Sequence, residues 1–471
     1  MENSAINYFK IESFKSKSSA LFNTGLRLNA EFYFHNNHFK LQNNIKTIKL
    51  SEIADVFGIG QFKRYYIESR EHGIPLISSS EMMELNPNYE GLISKVLVKD
   101  YLKYIVSKNT ILVSCSGTIG NITIVDSRLE GMAISQHALR VIPKNKSNLG
   151  LIYTFFASEF GKSLISGKKS GAVIDEIYEN DLNVIDVPII QFSIIETINE
   201  LIVSAFQKRD QANTLLEKAN QLVLQFNNLP SLNESNNETL DTNNKIEIRE
   251  VNIKEFTSDY RLDAHFYNPI AKKAEENIKK FSKEFFTLDK LADCSYRGSR
   301  SSRNYVKEEY GIPFLSGKNV IQIRPDCKHI SKTETGNIED MLVKKGWTLI
   351  TRSGTLGRTV FIWENYENYA ASEHLIRIVP IEEEIDQGYL YSFLSSEYGY
   401  HQLLRFKHGA VIDEITEDQI GKTVIPKPDK IQQNQIGDLV RKAYDLRAEA
   451  IKLEDEAQEL LQKELSSIEE N

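Results

Sequence analysis

Two fragments of this sequence end as a phosphate-binding loop ends: Gly161-Lys162-Ser163 and Gly421-Lys422-Thr423. A loop that wraps phosphates needs another glycine five residues before the last one, so that backbone amides converge on the anion. Phe156 and Thr416 hold those places, so neither fragment is expected to bind a nucleotide. The Ser116-Gly-Thr-Ile-Gly120 turn lacks dinucleotide-binding spacing, and its glycines suit a tight turn or a close backbone approach. His137 and His374 have no Cys, His or carboxylate partners at zinc-like spacing, which favours hydrogen-bonded structural histidines and no metal site. Asp175-Glu176 and Asp413-Glu414 give poor support to a nuclease and could cap the helix that follows. No catalytic residue is expected. The chemistry that survives is charge and hydrogen bonding toward a polyanion. Gln61, Lys63, Arg64, Tyr66 and Arg70 form one cluster, and Arg297, Arg300, Arg303 and Asn304 form another. Lys168 and Lys169 stand against Lys407, with Arg352 and Arg358 beside a glycine turn. Lys and Arg mixed with amide and phenol groups suit phosphate contacts together with base-edge contacts.

These clusters sit on a chain that repeats itself. Gly171-Ala-Val-Ile-Asp-Glu-Ile177 recurs unchanged as Gly409–Ile415. Arg27–Tyr33 matches Arg261–Tyr267, Gly73–Pro75 matches Gly311–Pro313, and Ser116–Gly120 matches Ser353–Gly357. Ser135–Arg140 matches Ser372–Arg377, and Ser158–Gly161 matches Ser396–Gly399. Six anchors in one order, at offsets of 234 to 238, make the chain a tandem duplication. If the halves read different targets, the reading residues should differ while the scaffold matches. The basic clusters lie where the repeats differ.

Each half should begin as a mixed α/β region. Strand-like runs occur at Asn109–Ser114, Ile122–Val125 and Leu139–Ile142, and again at Trp347–Thr351, Thr359–Trp363 and Leu375–Val379. One helix is expected at Leu149–Ile165 and its twin at Gly388–Phe406, with Pro188, Pro426 and Pro428 ending the globular parts. A long helix then closes each half. Leu439, Leu446, Leu453 and Leu460 recur every seven residues with Ala443, Ala450 and Ala457 between them. Leu201, Leu215 and Leu222 with Ala205, Ala212 and Ala219 repeat that stripe, which predicts that the two helices pack on each other. Ile195–Phe226 alone would span roughly 48 Å at 1.5 Å per residue.

The fold expected is α+β, with two repeated globular domains separated by two long antiparallel coiled-coil helices in pseudo-twofold arrangement. The segments are a lead at 1–26, a first domain at 27–190, a spacer helix at 193–228, a flexible linker at 229–250, a second domain at 251–428 and a second spacer helix at 430–468. A pseudo-dyad suits duplex DNA, whose half-sites lie at a spacing fixed by protein geometry.

The 471 residues carry a net charge of −8, which at face value argues against a nucleic-acid partner. Counting by segment removes the objection. Leu229–Phe256 is net −3 and Asp429–Asn471 net −5, so the rest of the chain is neutral. No run of 18 apolar residues predicts a membrane span. The start MENSAINYFKIESFK is unlike a signal peptide, and three scattered cysteines suit a reducing cytoplasm.

The duplicated unit, with its Ser-Gly-Thr-aliphatic-Gly turn, Gly-Ala-Val-Ile-Asp-Glu-Ile stretch, aliphatic-Pro segment (Val187-Pro188; Val424–Pro428) and closing helix, resembles the specificity subunit of type I restriction-modification enzymes. The resemblance implies two target recognition domains, each reading one half of a bipartite sequence in double-stranded DNA. It implies helices that dock two adenine-N6 methyltransferase subunits. ATP-dependent restriction subunits are a further partner. It implies no cofactor in this chain, with S-adenosylmethionine and ATP with Mg held by the partner subunits. Asn86-Pro87-Asn88-Tyr89 is the nearest fragment to a methyltransferase loop, and no glycine-rich cofactor strand accompanies it. The rival expectation is a coiled-coil scaffold that binds proteins in another defence complex without reading DNA.

Overall fold

A computed structural model describes residues 45–67, 69–87, 89, 91–170, 174–232, 251, 261–296, 303–333 and 338–469. Arg27–Tyr33, Gly171–Val173, Arg297 and Arg300 lie outside the described residues, as do the expected lead at 1–26 and linker residues 233–250. The chain forms two compact units. Met1–Met83, Pro87–Val203 and Glu454–Asn471 make the first, and Glu84–Asn86 with Ser204–Leu453 make the second.

Among the described residues the first unit holds ten strands: β1 (Thr47–Lys49), β2 (Ala54–Phe57), β3 (Tyr66–Ile67), β4 (Gly73–Ile77), β5 (Gly91–Ser94), β6 (Ile111–Ser114), β7 (Ile122–Ile124), β8 (Ala133–Ile134), β9 (Ala138–Pro143) and β10 (Asp186–Pro188). One antiparallel sheet runs β2-β9-β6-β7, and a second runs β3-β5-β4-β8 with β4 and β8 parallel. β1 and β10 close a small ladder. The second unit repeats this plan with β11 (Phe285–Thr287), β12 (Ala292–Ser295), β13 (Tyr305–Val306), β14 (Gly311–Leu315), β15 (Lys328–Ser331), β16 (Thr348–Thr351), β17 (Thr359–Phe361), β18 (Ala370–Ala371), β19 (Leu375–Pro380) and β20 (Val424–Pro426). Its sheets run β12-β19-β16-β17 and β13-β15-β14-β18, with a β11-β20 ladder. Every residue of β6 and β16 is buried, the hydroxyl residues Ser114, Thr348 and Thr351 included, so neither strand shows the alternation of a half-exposed one. Arg140 and Arg377 sit opposite Leu112 and Leu349 in these sheets. Each guanidinium folds back onto carbonyls of its own unit: Arg140 onto Lys103 and Tyr104 at 2.5 and 2.7 Å, Arg377 onto Asp340 and Met341 at 2.5 and 3.1 Å. They tie a sheet to a 3₁₀ turn.

The single helix expected after the sheet is two helices in each unit. They are α1 (Asn148–Ala157) and α2 (Glu159–Ser166), and α5 (Gln387–Ser395) and α6 (Glu397–Arg405). Ser158 and Ser396 adopt extended backbone at the break, and their hydroxyls accept from the amides of Gly161 and Gly399 at 3.1 and 3.4 Å. A β carbon at Gly161 would meet the Phe155 carbonyl oxygen at 2.0 Å, so this glycine serves the helical corner.

The closing helices are α3 (Phe192–Phe226) and α7 (Lys430–Glu469), about 52 and 60 Å long at 1.5 Å per residue, and α4 (Pro269–Phe281) follows α3 in the chain. In the second unit they run antiparallel: Lys208 pairs with Glu449 at 2.5 Å, and Arg447 donates to Asn213 at 3.2 Å. Ala205, Ala212, Ala219, Ala443, Ala450 and Ala457 are fully buried. Leu201, Leu215, Leu222, Leu439, Leu446, Leu453 and Leu460 are only half-buried. The other buried row lies one residue on, at Ile202, Arg209, Leu216 and Val223 of α3 and Val440, Arg447, Glu454 and Leu461 of α7. The expected leucine row is therefore the flank of the seam. Arg209 and Arg447 hide this because a buried arginine breaks an apolar stripe in sequence. Each lays its guanidinium over an aromatic ring one turn earlier, Phe206 at 4.8 Å and Tyr444 at 4.9 Å.

Each globular part meets a closing helix at a glycine. A β carbon at Gly150 of α1 would meet the Asn199 α carbon at 2.4 Å, and one at Gly388 of α5 would meet the Gly437 α carbon at 2.7 Å. Leu229 and Leu232, expected to begin the flexible linker, are buried instead. The Leu232 amide donates to Glu397 at 3.0 Å, and the Tyr398 hydroxyl donates to the Pro230 carbonyl at 2.7 Å. Both leucines join the buried core of the second unit.

Candidate nucleic-acid interface

Four chain segments converge at one end of each main sheet. The first is the glycine turn between β6 and β7, or between β16 and β17. Gly117 and Gly354 have φ of 74° and 73°, and a β carbon on either would meet nothing within 4 Å. Conformation alone demands glycine there, and the backbone stays open to a ligand. The second segment is Gln136-His137 or Glu373-His374. The Cys115 amide donates to the His137 carbonyl at 2.9 Å, and the Arg352 amide to the His374 carbonyl at 3.0 Å. The third is the hairpin containing Asp175-Glu176 or Asp413-Glu414. The Ile177 amide donates to the Cys115 carbonyl, and the Ile415 amide to the Arg352 carbonyl, both at 3.0 Å. The fourth carries Arg64 or Arg303 ahead of β3 or β13. Arg64 donates to the Gln136 side chain at 3.2 Å, and Arg303 clasps both oxygens of Glu373. A stitched backbone frame thus presents different side chains in the two units.

A model of the family described as type I restriction modification DNA specificity domain matches residues 6–225 and 280–458. The chain belongs to that family. It is a DNA-recognition subunit of the type I restriction-modification kind. No curated protein matches this specificity subunit. Among solved structures, it is similar to the type I S subunit of M. genitalium, at 15% identity and a TM-score of 0.29 over 91% of this chain and 94% of that one. It is also similar to the HsdS subunit of Thermoanaerobacter tengcongensis, at 14% identity and a TM-score of 0.28 over 91% of this chain and 98% of that one. The type IIG restriction endonuclease BpuSI aligns at 11% identity and a TM-score of 0.28 over 39% of this chain and 30% of that one.

The specificity subunit distributes its candidate contacts unevenly. In the first unit, Gln61, Lys63, Tyr66 and Arg70 are exposed, with the Lys63 ammonium 4.8 Å from the Tyr65 ring. Arg64 is half-buried and also reaches the Tyr66 hydroxyl at 3.4 Å. Lys168 and Lys169 are half-buried at the end of α2. In the second unit, Asn304 is exposed and the other described candidates are held by carboxylates. Arg303 binds Glu373 and lies 4.9 Å from the Phe314 ring. Arg352 stacks at 4.0 Å on Tyr296 and pairs with Glu414 at 3.3 Å. Lys407 pairs with Asp413 at 2.7 Å. Arg358 pairs with Glu84 at 3.1 Å and donates to the Asn86 carbonyl, both part of the second unit. The clusters around Arg64, Arg303 and Arg352 are brought together with the glycine turns, whereas Arg358 is turned onto Glu84.

The acidic pairs are not helix caps. Thr416 caps the short helix Glu417–Gly421, and Tyr178 precedes Glu179–Asn183, where its amide donates to Asp181 at 2.9 Å. Glu176 instead accepts from the Tyr178 hydroxyl at 2.8 Å and holds that phenol above its ordinary pKa. His374 Nδ1 lies 2.6 Å from the Ser353 hydroxyl, while its Nε2 is 3.6 Å from Glu373, too far for a hydrogen bond. That is a positioned histidine, not a nucleophile with its base and orienting acid. Burial, followed by Glu176, pushes the Cys115 thiol up to about 12. Among the described residues, no group of three or more His, Cys, Asp or Glu could hold a metal ion, and no helix is long and apolar enough to cross a membrane. Sequence reasoning passed over Gln136, Glu373, Cys115 and Tyr296. The first three lie inside or beside repeat anchors, where a mismatch was visible.

Proposed function

We propose that each globular unit reads one half of a bipartite sequence in duplex DNA and that α3 and α7 set the distance between the halves. The helices also dock adenine-N6 methyltransferase subunits, which carry S-adenosylmethionine and perform methylation. Restriction subunits using ATP and Mg act with the same complex in the cytoplasm. This chain performs no chemistry of its own. The supporting observation is the pair of loop clusters built on one frame with different side chains, because recognition of two half-sites needs a shared scaffold and unlike readers.

The test is DNA binding by the complex with its methyltransferase subunits, at stated salt because phosphate contacts make affinity steeply salt-dependent. A preference for two short sequences at fixed separation is expected. Adding one heptad to both helices lengthens them by about 10.5 Å, which should lengthen the preferred spacer by about 3 base pairs. Absence of any sequence preference would favour a protein-binding scaffold and refute the reading.

A further inference from the structure

We propose that the middle residue of Ser135-Gln136-His137 and of Ser372-Glu373-His374 gives the two units different base preferences, adenine for Gln136 and cytosine for Glu373. This rests on the reading that each unit contacts one half-site.

The two residues occupy one place in one frame. Each follows a buried serine and precedes a histidine whose carbonyl is tied to the residue before the glycine turn. Each is half-buried and held by an arginine from the fourth segment, Arg64 or Arg303. Backbone position is therefore matched, and the change in chemistry is isolated in the side chain.

Gln136 accepts from Arg64 with Oε1 and places Nε2 3.1 Å from the His137 ring nitrogen. A primary amide has two donor hydrogens and two lone pairs, so those contacts leave one of each. One donor and one acceptor in a plane match adenine N7 and N6 in the major groove. Glu373 has no donor when ionised. Its two oxygens accept from Arg303, and a carboxylate retains further lone pairs after such a clasp. An acceptor-only group suits the cytosine N4 amino group and is repelled by the N7 and O6 acceptors of guanine. The setting follows suit. Arg352 pairs with Glu414 beside Glu373, whereas buried, uncharged Cys115 holds the matching place beside Gln136.

The experiment uses the full specificity subunit with its methyltransferase subunits and duplex libraries randomised in one half-site at a time. The sequences that become methylated are read out. Gln136→Glu should move one position of the half-site read by the first unit from adenine toward cytosine, by about 5- to 150-fold in relative preference. Glu373→Gln should do the converse in the other half-site. Each variant leaves the opposite half-site unchanged. Gln136→Met, which keeps volume but removes both hydrogen-bonding groups, should relax that position toward all four bases and covers the event that Gln136→Glu does not fold. If the parental preference persists in all folded variants, or affinity falls equally for every sequence, the two residues only position their neighbours and the proposal fails. A parental complex without sequence preference would instead overturn the half-site reading itself.

Discussion

The two units share their strand order, their glycine turns and their helical corners, yet their loop clusters are charged in opposite styles. The first leaves Lys63 and Arg70 exposed and sets the uncharged Gln136 between Arg64 and His137. The second engages Arg303, Arg352, Arg358 and Lys407 with Glu373, Glu414, Glu84 and Asp413. A basic residue that must leave a carboxylate to reach phosphate gains less from DNA than one that leaves only water. Clustered arginine is therefore a different signal in the two halves. In the second it marks an internally balanced network, and in the first an open electrostatic surface.

The shared part of the comparison breaks most sharply at the helix crossings. Gly150→Val and Gly388→Val should each cost about 3 kcal/mol or more, because a side chain there meets backbone rather than a movable group. Urea unfolding should show equal losses, and a variant as stable as the parent would mean that the crossing is loose.

A smaller effect should separate the units. Tyr153 of α1 donates to the buried carboxylate of Glu454 at 2.8 Å, whereas its counterpart Tyr391 meets the Tyr444 hydroxyl at 3.0 Å. Tyr153→Phe should cost about 1–3 kcal/mol, because it withdraws a donor from a buried carboxyl group, and Tyr391→Phe about 0.5–1.5 kcal/mol. Equal losses in chemical denaturation would show that the two hydroxyl contacts weigh alike.

The contrast in surface charge is sharpened by salt. Lys63→Ala or Arg70→Ala should lower the slope of log affinity against log salt by about 1 when each contacts one phosphate. Lys407→Ala should change that slope less, because Asp413 already neutralises the ammonium. A larger change at Lys407 would show that its ion pair opens on DNA.

The smallest effect concerns Cys115. A thiol pushed up to about 12 stays protonated at pH 8, and thiolate is the reactive species. Alkylation of the folded subunit at that pH should leave Cys115 unmodified, with reaction only after unfolding. Rapid labelling would show that the loop cluster opens in the free protein.

The duplication, the glycine turns, the main-sheet strands β6, β7, β9, β16, β17 and β19, and the alanine rows were legible in the amino-acid order because they are local or periodic. The alanine row has a seven-residue period, and a positive φ at Gly117 or Gly354 is a demand of the turn itself. The short strands β3, β8, β13 and β18 were not legible, since two residues carry no periodicity and exist only through their partners. Tertiary structure alone decided the polar half of the helical seam. Arg209, Arg447 and Glu454 look like surface residues in sequence and are accommodated by aromatic rings and a phenol supplied across turns and helices. It also decided which basic groups face outward. Arg303 and Glu373 are 70 residues apart and Arg358 and Glu84 further still, so only folding brings each cation to its carboxylate. The sequence by itself determined that there are two like units, each closed by a long helix. The packing of distant side chains determined which of their differing cations are held by carboxylates.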